Sequence, residues 1–300
     1  MSLQLEPLPY AQWEPTKTTL HLYAQIVGKI ALRASPLRNH WWNLTLRPTP
    51  RGLVTTRLRS GDTSFEIALD FVDHCAVVQT QRAHAPFTLA LHDGLSVSAF
   101  YAALMRGLGA LGIDVPILAK PYGVPITTPF AQDEEHRTYD RVCVRRWYDA
   151  VLWSADVLER FASEFAGKQG PVQLFWHSFD LALGRYSGRP SSAPPSANPV
   201  EREAYSHEVI AFGFWPGDPS SPEAAYYTYT APEPSGLEQQ SLLPPGAQWV
   251  PRGTSHLGVV LYETIRTAPD PAAALTAFLQ SGYAAGAKAA KWDAAALRHA

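Results

Sequence analysis

Gly28-Lys29 and Trp41-Trp42-Asn43-Leu44-Thr45-Leu46 are echoed further along the chain by Gly167-Lys168 and Trp176-His177-Ser178-Phe179-Asp180-Leu181. Each copy follows a helix-like segment and runs on into a strand-like one, Phe65-Glu66-Ile67 in the first and His207-Glu208-Val209 in the second. A fixed order of similar segments is what internal duplication leaves behind, so the chain reads as two related halves about a pseudo-twofold axis.

Residues 16–32 place Leu20, Tyr23, Ala24, Val27, Ile30 and Ala31 at helical spacing, with Thr16 as N-cap. From Trp41 to Leu91 the pattern becomes alternation interrupted by turn residues, the mark of an antiparallel meander. Ser96 or Ser98 then caps a helix whose stripe is Phe100, Leu104, Leu108 and Leu111. Prolines 116, 121, 125 and 129 make the next stretch an extended strap, because proline lacks a backbone donor and disfavours helix before it. The second half opens with a long helix over 138–166, striped by Trp147, Val151, Leu158, Phe161 and Phe165 and entered through the acidic run Asp133 to Glu135. Strands follow around 172–186, 205–215, 225–230 and 257–263, and Asp270-Pro271 starts the last helix. Residues 188–198 and 232–251 read as exposed loops. The expected fold is α+β: two pseudo-repeats of helix, antiparallel β-meander and helix, over 1–118 and 138–300, joined by a proline-rich connector at 119–137.

Composition narrows the function classes. Three hundred residues, 46% of them hydrophobic and including 9 Trp, 13 Tyr and 12 Phe, suffice for a large core. A formal charge of -2 with 17% charged residues offers no basic surface for nucleic acid, which is excluded as a partner. Cys75 and Cys143 stand far apart outside any metal-binding spacing, as in a reducing compartment. The N-terminal residues lack a secretion signal, and no run reaches the roughly 18 apolar residues of a membrane span, so the expected location is cytoplasmic with no membrane partner.

At Gly28-Lys29, Asn39-His40-Trp41-Trp42, Phe65 to His74, Phe175 to Arg189 and Tyr205 to Gly217, the chain resembles a bacterial family known only as a domain of unknown function. The resemblance covers nearly the whole length, and it implies no activity.

The chemistry must therefore come from the residues. Read as strands, the Trp-rich segments place Trp176, Ser178 and Asp180 on one face with His177 on the other, and Trp41, Asn43, Thr45 and Arg47 together in the first half. An aromatic wall beside small polar groups is how small-ligand sites are lined, so a small-molecule pocket between the halves is expected, with Trp41, Asn43, Trp176, Ser178 and Arg185 binding ligand. His177 and His207 are the candidate acids or bases, with Asp180 as the carboxylate. His177 serves equally as a core histidine satisfied by one hydrogen bond, and the polar face equally as one covered by helices. Two histidines and Asp180 would suit a divalent cation, but no compact ligand spacing supports one, so no metal ligand is assigned and the cofactor is left open. The Gly-Lys pairs read as helix C-caps with a dipole-compensating lysine. The rival to an enzyme is a non-catalytic carrier or interaction protein, gripping a protein or sugar through the aromatics of 225–229 and the 232–251 loop.

Overall fold

The computed structural model describes residues 5–192 and 197–299. The chain is α+β, a single antiparallel sheet with its long helices against one face. Helix α1 (Tyr10–Ala34) leads into β1 (Leu46–Thr49), β2 (Gly52–Thr55), β3 (Leu58–Ser60), β4 (Thr63–Asp70), β5 (Cys75–Thr80), β6 (Phe87–Ala90) and helix α2 (Val97–Ala110). After the strap come α3 (Arg141–Ala162), β7 (Gln173–Phe175), β8 (Asp180–Pro190), the short α4 (Pro199–Ala204), β9 (His207–Trp215), β10 (Ala225–Ala231), β11 (Gln248–Arg252), β12 (Ser255–Leu261), α5 (Tyr262–Arg266) and α6 (Pro271–Ala289). The sheet order is β11-β12-β10-β9-β8-β7-β1-β2-β4-β5-β6, with β3 beside β4. Its two halves meet where Leu46 of β1 pairs with Leu174 of β7.

Alternation decides which side chains meet the helices. Ile67 and Leu69 on β4, Leu181 and Leu183 on β8, Phe212 and Phe214 on β9, Tyr226 on β10 and Val260 on β12 are buried. Opposite them on α3 lie Trp147, Val151, Leu158 and Phe161, the stripe expected from the sequence. The Tyr226 hydroxyl finds its partner in Ser154 of the same helix, 2.9 Å away.

Caps follow expectation in two places and depart from it in others. Ser96 accepts from the Ala99 amide at the start of α2, and Asp270 from Ala273 at the start of α6, each filling an unsatisfied donor. Helix α1 begins at Tyr10, six residues before Thr16, whose hydroxyl instead accepts from the Asp140 amide. Asp140 is the cap of α3, accepting from Val142 and Cys143. The run 133–135 serves α2 instead: Ser98 donates to Glu134, and the Ser98 amide to the Asp133 carbonyl. In the stretch 232–251, read as a loop, Gln248–Arg252 pairs with β12. Of the other loop, 193–196 lie outside the described residues, while 188–190 finish β8.

Candidate functional site

The segment Trp176 to Phe179 is a turn joining β7 to β8, so the strand alternation assigned to it does not hold. The turn is set by contacts far away in sequence. His21 of α1 is buried and lies within hydrogen-bonding distance of the Trp176 and His177 carbonyls, through Nε2 at 2.9 and 3.2 Å. Carbonyls only accept, so Nε2 carries the proton. The same ring stacks on Phe179, which holds a positive φ of 61°. Trp176 goes under the helix: a Cβ on Gly28 would lie 2.1 Å from its ring. Gly28 therefore sits inside α1 as a contact surface for Trp176, and is not a helix cap. Lys29 follows, its ammonium 5.8 Å from that ring. Gly167, four residues beyond Ser163 at the end of α3, is not a cap either.

The predicted ligand residues accordingly separate. Asn43 is buried and structural, donating to Ser35 Oγ and accepting from the Arg38 amide. Trp41 donates to the Val200 carbonyl of α4. Arg185 faces the helices and not the pocket face: it donates to the Phe161 carbonyl at the end of α3 and lies 3.4 Å from the Phe161 ring centre. Burial among aromatics lowers its pKa to about 10.

Asp180 and Ser178 do meet. The Asp180 carboxylate, nearly buried, accepts from the Ser178 hydroxyl and from Tyr227 of β10. Ser178 Oγ is also 3.5 Å from His177 Nε2. Burial lowers the His177 pKa, with the negative charge of Asp180 opposing it. Tyr227 reaches across the sheet because Gly213 of β9 has no side chain; a Cβ there would lie 2.4 Å from the phenol. Burial, then the charge of Asp180, holds this phenol protonated well above its ordinary pKa.

His207 is not part of this group. Strands β8 and β9 are antiparallel, and His207 pairs with Pro190, so Asp180 lies ten residues away along β8, roughly 30 Å at strand rise. His207 instead joins a second group, one that no sequence spacing announces. His40 is buried with a positive φ of 55°, in a 3-10 turn between α1 and β1. Its Nδ1 lies 3.2 and 3.1 Å from the Glu203 and Ala204 carbonyls of α4, so Nδ1 carries the proton and Nε2 presents a bare lone pair. That Nε2 is buried without a hydrogen-bond partner among the described residues. The ring stacks on Tyr186 at 4.2 Å and meets His207 edge-on at 5.6 Å and Trp42 at 5.2 Å. Lys168 completes the group, its ammonium 5.2 Å from the Tyr186 ring and 5.8 Å from that of Trp42. Burial, then the nearby Lys168 charge, lowers the His40 pKa and keeps the imidazole neutral at pH 7.

A row of phenols runs between the two groups on the face away from α3 and α6. The hydroxyls of Tyr205 and Tyr229 are 3.3 Å apart, and Tyr229 stacks on Tyr227 at 6.1 Å. Beneath them are the small residues Ala182, Gly184, Ala211 and Gly213. The arrangement offers an imidazole acceptor, an ammonium group, phenol donors and flat aromatic walls, drawn from both halves of the chain.

Elsewhere, Glu233, Glu238 and His256 bring ligand atoms within 4.8 Å of one another, a grouping of the kind that holds a cation. No spacing in the sequence announces it, and His256 and Glu233 already satisfy each other, with Nδ1 and Oε1 2.8 Å apart.

No curated protein and no solved structure matches the chain. The model of one family, described as a family of unknown function, DUF5996, matches residues 5–299, and the chain belongs to that family.

Proposed function

We propose that the protein binds a small, flat, polar molecule where the His40–Trp42 segment of the first half meets the phenol row of the second. The observation that carries this reading is His40 itself. A buried acceptor without a partner costs about 1–3 kcal/mol, and a non-glycine residue at positive φ costs about as much again. Such costs accumulate at sites kept for a ligand. The ligand would donate an N–H or O–H to His40 Nε2 and present an anionic group to Lys168, with the Trp42 ring, which meets Tyr186 edge-on at 5.9 Å, turning aside to admit it. A neutral imidazole with a free lone pair is also a competent general base, and His177 beside Asp180 offers a second acid–base group at the other end of the row. The rival, an interaction protein with an exposed aromatic patch, is less well supported: Tyr227 and Tyr229 are half-buried, and their hydroxyls are engaged.

We read the chain further as two related halves, 1–118 and 138–300, with the axis between β1 and β7. The order of helix, strands and helix in each half supports this, as does a reciprocal grip. Gly28 and Lys29 of the first half hold Trp176 of the second; Gly170 and Lys168 of the second lie against Trp42 of the first. The echoed Trp segments nevertheless occupy different places, one before β1 and the other between β7 and β8. A cytoplasmic location without membrane or nucleic-acid partners fits the composition, and among the described residues no helix is long and apolar enough to cross a membrane.

The test is a thermal-shift and fluorine-NMR screen of aromatic acids bearing a ring N–H or hydroxyl, against wild type and His40→Asn. Asparagine tolerates positive φ and keeps a donor for the α4 carbonyls, but deletes Nε2. Binders of the wild type should lose about tenfold or more in the variant. Equal binding to both proteins, or no binder in the set, would remove the assignment.

A further inference from the structure

A cavity of about 470 Å³ opens at the seam between the halves, on the side of the sheet centre where α3 ends. Its walls come from both: Arg47, Pro48, Thr49 and Val54 of β1 and β2, Glu159 and Ala162 of α3, and the segment Gln169 to Val172 before β7. It borders the His40 site at Gly170, which lies against Trp42, and takes none of its other walls from that site. Three polar features stand out. Arg47 and Glu159 carry opposite charges, and neither enters an ion pair among the described residues. Gln169 donates its amide to the Ala162 carbonyl at 2.9 Å, capping α3, and this orientation leaves Oε1 buried with no partner. Pro48, Val54, Ala162, Pro171 and Val172 make apolar wall, and the Thr49 hydroxyl is turned to the Gly52 carbonyl.

The geometry points to a second binding site, one for a zwitterion: an apolar α-amino acid or a dipeptide of such residues. Its carboxylate is clamped by the Arg47 guanidinium, a geometry arginine suits through paired N–H donors. Its ammonium faces Glu159, and its side chain lies on the proline and valine wall. The volume falls in the range of small-molecule sites and accommodates either form. A neutral apolar ligand would leave Arg47 and Glu159 unpaired, and a simple anion would leave Glu159 opposed.

The experiment is isothermal titration calorimetry of the full chain with the twenty free amino acids and leucyl-leucine, followed by N-acetyl-leucine and leucine amide. Saturable binding of the free apolar forms is expected, with each blocked derivative weakened about tenfold or more. Arg47→Met and Glu159→Gln, both at exposed positions that leave the core intact, should each weaken binding similarly and leave His40-dependent binders unaffected. No binding by any member of the panel at millimolar concentration, blocked derivatives binding as well as free ones, or variants binding like wild type would overturn the proposal.

Discussion

Replacing Gly28 by alanine separates two accounts of that residue by the sign of the effect. In an ordinary helix interior the change removes a flexible residue and stabilises by about 1 kcal/mol. Here the new methyl would lie 2.1 Å from Trp176 Cγ and 2.2 Å from Cδ1, against the ~3.5–4.0 Å of carbon–carbon contact. The atoms struck are at the base of the ring, so rotation of the indole does not relieve the overlap; the whole 176–179 turn must move, with the His21 contacts that hold it. Overpacking of this kind costs about 1–3 kcal/mol or more, so the net expectation is a loss of about 1–2 kcal/mol. For a chain of this size that lowers Tm by roughly 2–8 °C. Urea unfolding followed by tryptophan fluorescence and circular dichroism would measure it. In a Trp176→Ala background, where the ring is gone, the same Gly28→Ala change should become stabilising. Stabilisation by Gly28→Ala in the intact protein would refute the contact and return Gly28 to the role of a replaceable helix residue.

Other expectations follow from the same structure. His21 is buried with its pKa lowered to about 3, chiefly by desolvation and then by Lys17. The unfolded chain, with a histidine pKa near 6.5, binds the proton more readily, so this contribution is fully present above about pH 6.5 and is lost as pH falls toward 3. Between pH 7 and pH 4.5 the loss from this group is about 2–3 kcal/mol, and His21→Gln should flatten the acid limb of stability measured by urea titration. Tyr227→Phe takes a donor from the nearly buried Asp180 and should cost about 1.5–3 kcal/mol in chemical denaturation; a change below a few tenths would show that the carboxylate does not depend on it. Arg185→Met keeps the packing of the stem but removes the charge-assisted hydrogen bond and ring contact at Phe161, leaving its carbonyl only the Glu164 amide, so about 1–3 kcal/mol of stability should be lost while fragment affinity at the His40 site stays unchanged. Loss of fragment affinity without loss of stability would restore Arg185 as a ligand residue.

The parts of the fold that were legible in the sequence are those decided locally. The stripe from Trp147 to Phe161 requires a buried face every three to four residues, and Asp270-Pro271 pairs a capping carboxylate with a residue suited to the first helical turn. The strand at 225–230 is expected too, but Tyr226, grouped there with the exposed aromatics of 225–229, is buried against α3 and only Tyr227 and Tyr229 take the other face. The site was only partly legible because nonlocal contacts make it. Trp176 to Phe179 contains neither glycine nor proline and carries strand-favouring aromatics, so it reads as extended; His21 and Gly28, some 150 positions earlier, turn it. That break removes Trp176 from the pocket face and leaves Ser178 and Asp180 with Tyr227, a partner that no spacing links to them. His40 had one local signal: histidine and asparagine tolerate positive φ better than most residues, and Asn39-His40 precedes the paired tryptophans. Its importance nevertheless rests on α4, which occupies Nδ1 and leaves Nε2 free. Antiparallel pairing of β8 and β9 then sends His207 to His40 and away from Asp180, a consequence of strand direction that residue order alone does not give.

The state of the His40 imidazole tests the account most directly. Long-range proton–nitrogen NMR at pH 7 would report it in the free protein and with the best fragment from the aromatic-acid screen. A neutral ring protonated on Nδ1 is predicted in the free protein, with an Nε2 resonance that shifts when the fragment binds. A charged imidazole, a proton on Nε2, or an Nε2 resonance unmoved by a bound fragment would contradict it.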